Sequence, residues 1–122
     1  MIRLLPVLLL LGCASGDVHL TGDAGKMFTR ITGASGITVS EKVTIYGTEN
    51  PPTAQLVCHE ERHKLQARII GDALVALGAI DDDEASRAAA WVSIYSIEHL
   101  QRGYGGNRFE AESRNVCRDV KD

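Results

Sequence analysis

The chain has 122 residues, with 13 Lys and Arg against 16 Asp and Glu, giving a formal net charge of −3 at pH 7. This length suffices for one small domain, and the interspersed charges lack the basic stripe that is typical of nucleic-acid-binding proteins. A composition of 44% hydrophobic and 24% charged residues excludes a wholly disordered chain, and no apolar run reaches the ~20 residues of a transmembrane helix.

The N-terminus has the pattern of a secretory signal. Arg3 provides a positive charge, residues 4–11 are apolar apart from Pro6, and the small residue Gly12 precedes Cys13. A cysteine in this position resembles that of a bacterial lipoprotein signal, which implies cleavage before Cys13 and lipidation of its thiol. A plain signal peptide and a buried N-terminal strand are the alternatives.

We therefore predict a lipoprotein signal peptide over residues 1–12 and a lipid-anchored membrane protein in the cell envelope. Ala14 after the lipidated cysteine resembles outer-membrane sorting, which implies the periplasmic face of the outer membrane in a diderm host. Residues 13–36 are rich in Gly, Ser, Thr and Asp, and we expect the lipidated cysteine to be followed by a flexible tether. The folded domain is then expected over residues 37–122.

Two short strands are expected at the start of this domain. Residues 37–39 and 43–46 are rich in β-branched residues and alternate apolar with polar side chains. Residues 40–42 are expected to form the turn between them.

Helices follow from Thr53 onwards. The first begins at Thr53 or Asn50, whose side chains both suit an N-cap, and ends at Gly78. The second begins in the acidic segment 81–84, where the charges favour a helix N-terminus, and ends in the glycine-rich segment 103–106.

A third helix begins at Asn107. Its inward-facing side chains are expected to be Phe109, Ser113, Val116 and Val120. The predicted fold class is therefore α+β, mostly α, with a short pair of strands followed by three helices.

The cysteines predict a disulfide. If Cys13 carries lipid, Cys58 and Cys117 remain as an even pair in an oxidising compartment, where disulfides persist. A bridge between them would close a long loop and restrict the unfolded chain. Two free thiols, or one cysteine acting as a soft metal ligand, are the alternatives.

Residues 59–63, His-Glu-Glu-Arg-His, have the form H-E-x-x-H. On a helix, His59 and His63 project from one face and can converge on a metal ion, while Glu60 lies at the edge of that face and can accept a proton from water. A charged, solvated helix face and a pair of hydrogen-bonded core histidines are the alternatives. A catalytic zinc usually has three protein ligands, so a third is expected downstream.

Candidates for this third ligand are Glu98, His99, Glu110, Glu112 and Cys117. Glu110 ranks first because it shares a helix face with Ser113 and Cys117, whereas Glu112 faces another way and ranks second. Glu110 also has a competing structural role, because Asn107 at the N-cap with Glu at the third helical position forms a capping box.

The segment His59-Glu60-x-x-His63-x-x-Gln66, followed downstream by Gly103-Tyr104-x-x-Asn107-x-Phe109-Glu110-x-Glu112, resembles small zincin-like domains of bacteria and their phages. Those domains carry an H-E-x-x-H-x-x-Q helix and a later Y-x-x-N-P-F-E-x-E-A segment. The resemblance covers roughly residues 37–116. It departs at Arg108 and Ser113, where Pro and Ala are common.

This resemblance implies a gluzincin-type metallopeptidase with a Zn²⁺ cofactor and a peptide or protein substrate. His59, His63 and Glu110 would be the zinc ligands, and Glu60 the general base. Strand 43–46 precedes the metal-binding helix, as the substrate-aligning edge strand does in zincins; a simple core strand is the alternative. Candidates for stabilising the oxyanion are Tyr104, Tyr46, His99 and Arg62.

Two other functions compete with the peptidase. One is a zinc-stabilised lipoprotein with a non-catalytic binding or structural role, and the other is a metal-free envelope lipoprotein. Glu60 favours the enzyme, because a purely structural metal site needs no general base. If the first and third helices run antiparallel around the metal, a Cys58–Cys117 bridge would clamp the two ligand-bearing helices.

Overall fold

The computed structural model describes residues 16–47 and 51–121. Within them, three strands and four helices follow in the order β1 (Val18–Leu20), α1 (Gly22–Thr32), β2 (Gly36–Thr38), β3 (Thr44–Gly47), α2 (Ala54–Ala76), α3 (Glu84–Gly106) and α4 (Arg108–Cys117). This confirms the α+β, mostly α fold class. The predicted signal peptide, the lipidated Cys13 and the alternative cap Asn50 lie outside the described residues.

The strands form one small sheet in the order β1-β3-β2. β2 and β3 are antiparallel, with Ile37 opposite Ile45, so the predicted hairpin is confirmed. Ser40 closes its turn, because its hydroxyl accepts hydrogen bonds from the backbone N–H groups of Lys42 and Val43, each at 3.1 Å. β1 adds to the other side of β3 in parallel.

The flexible tether expected over residues 13–36 is wrong for residues 18–32, which form β1 and α1. Two glycines that suggested flexibility have structural positions instead. Gly33 has a φ of 71° and ends α1 as its C-cap, a left-handed conformation that glycine adopts without strain. Gly25 is buried on α1.

Apolar side chains on one side of the sheet form what we call the sheet core. Its buried members are Val39, Val43 and Ile45, and the partly buried side chains around them are Val18, Leu20, Phe28 and Ile37. Phe28 of α1 covers β3 at Gly47, where a Cβ atom would overlap its ring. Burying these side chains explains why β1 and α1 are ordered despite their polar composition.

The predicted helix starts are confirmed for the two long helices. The Thr53 hydroxyl accepts a hydrogen bond from Leu56 N (3.1 Å) and caps α2, which ends just before Gly78. Asp83 caps α3 through Ser86 N at 2.7 Å. α3 ends at Gly106, within the predicted segment 103–106, after a break at Gly103, whose φ is 69°.

The third predicted helix corresponds to α4, which is capped by Asn107 and ends at Cys117. Its buried stripe is Glu110, Ser113 and Cys117. The predictions for Val116 and Val120 are wrong: Val116 is 50% exposed on another face, and Val120 lies beyond the helix.

α2 packs against both α3 and α4 and also meets β2. The Cys58–Cys117 disulfide joins α2 to α4, which confirms the predicted bridge. Over residues 16–47 and 51–121, none of the helices combines the length and the apolar character needed to cross a bilayer.

Candidate metal centre

Three side chains from two helices converge between α2 and α4. The rings of His59 and His63, one turn apart on α2, stand edge to face with centroids 4.8 Å apart. Across from them, the carboxylate of Glu110 on α4 spans the pair: its Oε2 lies 2.7 Å from His59 Nε2, and its Oε1 lies 3.0 Å from His63 Nε2. His63 and Glu110 are buried.

Gln66 determines which nitrogen of His63 faces Glu110. Its side-chain amide donates to Phe109 O (3.0 Å) and to Glu112 Oε1 (3.2 Å), so its carbonyl oxygen is the atom that faces His63 Nδ1 at 2.7 Å. That oxygen can only accept, so Nδ1 carries the proton. In the neutral ring, Nε2 then presents its lone pair towards Glu110 and His59.

His63 Nε2 is buried and, despite its proximity to Glu110, has no aligned hydrogen-bond partner. Burial lowers the pKa of His63, but the neighbouring Glu110 carboxylate outweighs burial and raises it above its usual range. Burial likewise raises the pKa of Glu110, yet His59 and His63 together hold it well below its usual range. Glu110 is therefore an anion between two imidazoles.

Glu60 lies beside the histidine pair but is held by the sheet. Its Oε2 accepts a hydrogen bond from the Thr38 hydroxyl at 2.8 Å, and the same hydroxyl contacts Glu60 O at 3.1 Å. A Cβ at Gly36 would lie 3.1 Å from the Glu60 carboxyl oxygen, so glycine in β2 leaves room for this side chain. Burial raises the pKa of Glu60 above its usual range.

The competing capping role of Glu110 is not taken up. Asn107 Oδ1 accepts from Phe109 N (2.9 Å) and Glu110 N (3.3 Å), but the Asn107 N–H bonds to Gly103 O at 2.9 Å. The Glu110 side chain is thereby free to face the histidines. Tyr95 of α3 donates to its Oε1 at 2.5 Å, and this contact together with burial raises the pKa of the tyrosine.

The donor set suits a metal ion. Ligand atoms of His59, Glu60 and His63 all lie within 4.8 Å of one another, and this cluster could hold such an ion. The Glu110 carboxylate lies 2.7 and 3.0 Å from the Nε2 atoms of the two imidazoles, and His63 Nε2 is buried without an aligned hydrogen-bond partner. Two imidazoles and a carboxylate form a donor set that divalent metals accept.

The remaining candidates for the third ligand are engaged elsewhere or only border the site. Glu98 pairs with Arg102 and Arg108, Glu112 accepts from Arg62, and Cys117 is in the disulfide. His99 faces the cleft and stacks on Tyr95 with ring centroids 6.0 Å apart. Glu110 is thus the one of the five that contacts both imidazoles.

A cleft of about 1170 Å³ opens from this centre. His59, Glu60, His63 and Glu110 lie on its lining, together with β2, part of α3 and the start of α2. Of the predicted oxyanion-stabilising residues, Tyr104 and His99 line the cleft, whereas Tyr46 is buried in β3 and Arg62 pairs with Glu112.

Tyr95 was not identified from the sequence as part of this centre. Its spacing from Trp91 and His99, four residues on either side, is the signal that places all three on one face of α3. Trp91 and Tyr95 both pack against His63, with ring centroids 6.0 and 5.8 Å away.

The strand that borders the cleft is β2, not the predicted 43–46 segment. That segment forms β3, which lies between β1 and β2 and is buried, so its expected role as an edge strand is wrong and the alternative of a core strand is correct. The sequence did not reveal β1, whose pairing moves β3 to the centre of the sheet.

The free edge of β2 presents main-chain groups to the cleft. Val39 N donates to Val43 O at 3.0 Å, so the main-chain N–H and C=O groups of Val39 point towards β3. Because these groups alternate in direction along a strand, those of Gly36 and Thr38 point away from β3. Thr38 O accepts from Trp91 Nε1 at 2.9 Å, which ends the open edge there. The N–H and C=O of Gly36 remain directed to the cleft side.

Comparisons of the chain with models of known protein families, with functionally described proteins and with solved structures give no significant match. The resemblance to zincin-like domains therefore depends on the motif residues, and the case for a function depends on the geometry of the metal centre.

Proposed function

We propose that the chain is a zinc-dependent metallopeptidase of the H-E-x-x-H type, with His59, His63 and Glu110 as metal ligands and Glu60 as general base. The observation that carries this proposal is the position of Glu110. It comes from a helix far along the chain and contacts the Nε2 atoms of both histidines, while a second carboxylate is held beside them.

Two carboxylates at one centre have different environments, which supports different roles. Glu110 faces two imidazoles and stays ionised, as a ligand must. Glu60 is buried against Thr38 and its pKa is raised, which suits a group that accepts a proton and later returns it to the leaving amine. Zinc, when bound, supplies a Lewis acid that lowers the pKa of water and polarises a carbonyl group.

The cleft offers a path for an extended peptide. Strand addition at the free edge of β2 would pair the peptide with the main chain of Gly36. Thr38 lies on this edge as well and fixes Glu60, so peptide and base would be aligned by one strand. Tyr95 also lines the cleft, and its hydroxyl, at 2.5 Å from Glu110, stays protonated.

We further propose that the enzyme acts in the cell envelope, where the lipoprotein-like residues 1–13 would anchor it. The Cys58–Cys117 disulfide supports an oxidising compartment, because such bridges persist there and are rare in the cytosol. Metabolic labelling with a clickable fatty acid tests the anchor: the wild-type chain should be labelled and Cys13→Ser should not. Labelling of both, or of neither, would contradict it.

The metal site is tested by metal content and affinity of the purified, oxidised protein. One zinc per chain is expected, with loss of stoichiometric zinc in His63→Ala and in Glu110→Gln. Glu112→Gln is the matched control: it lies two residues further along α4, contacts Arg62 and Gln66, and should keep its zinc. If Glu110→Gln kept its zinc, the third ligand would be another residue.

Catalysis is tested separately with Glu60→Gln. This variant should bind zinc as the wild type does and lose cleavage of quenched fluorescent peptides by at least about a hundredfold, since a positioned base contributes roughly 10²–10⁴-fold. Zinc binding without any cleavage by the wild type would instead favour the zinc-stabilised, non-catalytic lipoprotein.

A further inference from the structure

Arg114, which lines the cleft at the metal centre, differs from most arginines of the surrounding helices. Its Nη2 donates to Gly105 O at 3.3 Å, and its guanidinium lies 5.1 Å from the centre of the Tyr104 ring. Its Nη1 is buried and has no hydrogen-bond partner. Among the residues that the structure describes, no carboxylate pairs with Arg114.

Other arginines of α2, α3 and α4 show the contrast. Those with carboxylate partners within 3.0 Å are Arg62 (with Glu112), Arg87 (with Asp72 and Asp82), Arg102 and Arg108 (both with Glu98). A guanidinium N–H that is removed from water without an acceptor is unfavourable. Arg114 Nη1 is therefore a hydrogen-bond donor whose acceptor would be a bound ligand rather than a group of the protein.

The position of Arg114 connects it with the proposed active site. It lies on the lining of the cleft, one helical turn after Glu110 on the same face of α4. Four residues of an α-helix advance about 6 Å, which is close to the length of two extended peptide residues at about 3.3–3.6 Å each. A group bound at Arg114 would therefore lie within a few residues of the bond at the metal centre.

The surroundings of Arg114 favour an anion carried on an otherwise apolar ligand. His99, which also lines the cleft, has a buried Nδ1 without a hydrogen-bond partner and lies edge to face with Tyr104. Both acidic groups of the cleft are engaged, Glu60 by Thr38 and Glu110 by the histidines. Apolar side chains also line the cleft: Ile37, Leu56, Val92 and Leu100.

We propose that Arg114 binds a carboxylate of the peptide substrate, so that the enzyme prefers peptides with a carboxylate close to the scissile bond. This inference rests on the proposed peptidase function and names its substrate class. The planar guanidinium matches a carboxylate with two parallel hydrogen bonds, which a lysine ammonium does not. The carboxylate comes either from the C-terminus of the peptide or from an Asp or Glu side chain.

Binding to the zinc-loaded Glu60→Gln protein, measured by isothermal titration calorimetry, tests the inference without turnover. One probe pair is N-benzoyl-glycyl-phenylalanine and its C-terminal amide; the other is N-acetyl-Gly-Phe-Glu-amide and the same peptide with Gln. We expect the acid of one pair to bind at least about tenfold more tightly than its neutral partner, because hydrogen bonds to charged groups are the strong ones. The pair that shows the preference identifies a terminal or a side-chain carboxylate.

Carboxylates also bind zinc directly, so the decisive measurement is the same preference in Arg114→Gln. The preference for the acid probe should fall to less than about threefold in Arg114→Gln and be partly kept in Arg114→Lys. It should be unchanged in Arg68→Gln, which removes an exposed positive charge on α2 outside the cleft. Zinc affinity of each variant, measured first, shows that the fold and the metal centre persist.

Each outcome decides a different point. Equal binding of acid and neutral probes, no binding of any probe, or a preference that survives in Arg114→Gln would overturn the role of Arg114 while the zinc site stands. Failure of the parent protein to bind zinc would overturn the proposed function, and this inference with it.

Discussion

The sheet core and the metal centre are buried to a similar degree but are made of opposite chemistry. Val39, Val43 and Ile45 are at most 3% exposed and wholly apolar. Between α2 and α4, the buried side chains are mostly polar, and they include Glu60, His63, Gln66, Glu110 and Ser113. Apolar burial stabilises a fold in its own right, whereas polar burial costs free energy unless every group finds a partner.

The two regions therefore have different roles in the protein. The sheet core orders β1, α1 and the hairpin, and an apolar cluster of that kind needs no further explanation. The buried polar centre leaves His63 Nε2 without a hydrogen bond and concentrates charge on Glu110. An arrangement of this kind is expected where a ligand completes the set of contacts.

Two residues connect the regions. Thr38 of β2 shares its hydroxyl between Thr44 in the sheet (2.8 Å) and Glu60 in the metal centre (2.8 Å). Trp91 donates to Thr38 O and packs against His63. The sheet thus holds Glu60, the proposed base, in place through Thr38, although it contributes no proposed metal ligand.

The largest effect is expected from the disulfide, because it joins the two helices of the metal centre and closes a long loop of the unfolded chain. The bridge has a sequence separation of 59. Removing it in the Cys58→Ser/Cys117→Ser protein should lower the free energy of unfolding by about 4 kcal/mol on the chain-entropy model. Urea unfolding of the metal-free protein measures this loss.

The same bridge joins the helices that carry the proposed ligands, so zinc affinity should fall as well. Reducing the wild-type disulfide is the matched control, because it breaks the bridge without changing a side chain, and it should reproduce both losses. A double variant that unfolds at the wild-type urea concentration would show that packing of α2 on α4 suffices without the bridge.

A smaller effect is expected for Ile45→Ala in the sheet core. Truncating a buried isoleucine leaves a cavity and should cost about 3 kcal/mol, within the 2–5 kcal/mol typical of such changes. Zinc affinity of the folded protein should stay within about threefold of wild type, since Ile45 contacts no proposed ligand. Urea unfolding and zinc titration on the same sample separate the two quantities.

Ile97→Ala is the control for this change. Ile97 is 54% exposed on α3, and its truncation should alter stability by less than about 0.5 kcal/mol. If Ile45→Ala weakened zinc binding by tenfold or more, the stability of the sheet core and the zinc affinity of the metal centre would be coupled, contrary to this prediction.

Local sequence patterns were sufficient to predict several elements of the fold. The hairpin, the cap at Thr53, the start of α3 in segment 81–84, the start of α4 and the disulfide were all predicted correctly, because each depends on neighbouring residues or on cysteine count. β1 and α1 were missed. A three-residue strand has no pattern of its own, and Val18 is ordered by pairing with Ile45, far along the chain, and by packing on the sheet core.

The metal centre shows the same limit. Spacing of four residues puts His59 and His63 on one helix face, and the H-E-x-x-H pattern carries that information locally. The meeting of Glu110 with both imidazoles depends on how α4 packs on α2, which no local signal specifies. The contact of Tyr95 with Glu110 and the burial of Arg114 Nη1 without a hydrogen-bond partner likewise arise only from tertiary packing.

The smallest of the three effects is expected from Gln66, and it concerns the metal centre alone. Gln66→Met keeps the volume of the side chain but removes the oxygen that accepts from His63 Nδ1, so the ring is no longer held with Nε2 towards Glu110. Groups that orient a metal-binding histidine typically contribute 10–100-fold to affinity. Competition with a chromophoric chelator should therefore show zinc binding weakened by about that factor.

Gln101→Met, on the exposed face of α3, is the control and should leave zinc affinity unchanged. If Gln66→Met bound zinc within twofold of wild type, the ring of His63 would be oriented instead by Ser113, which lies 3.3 Å from the same nitrogen.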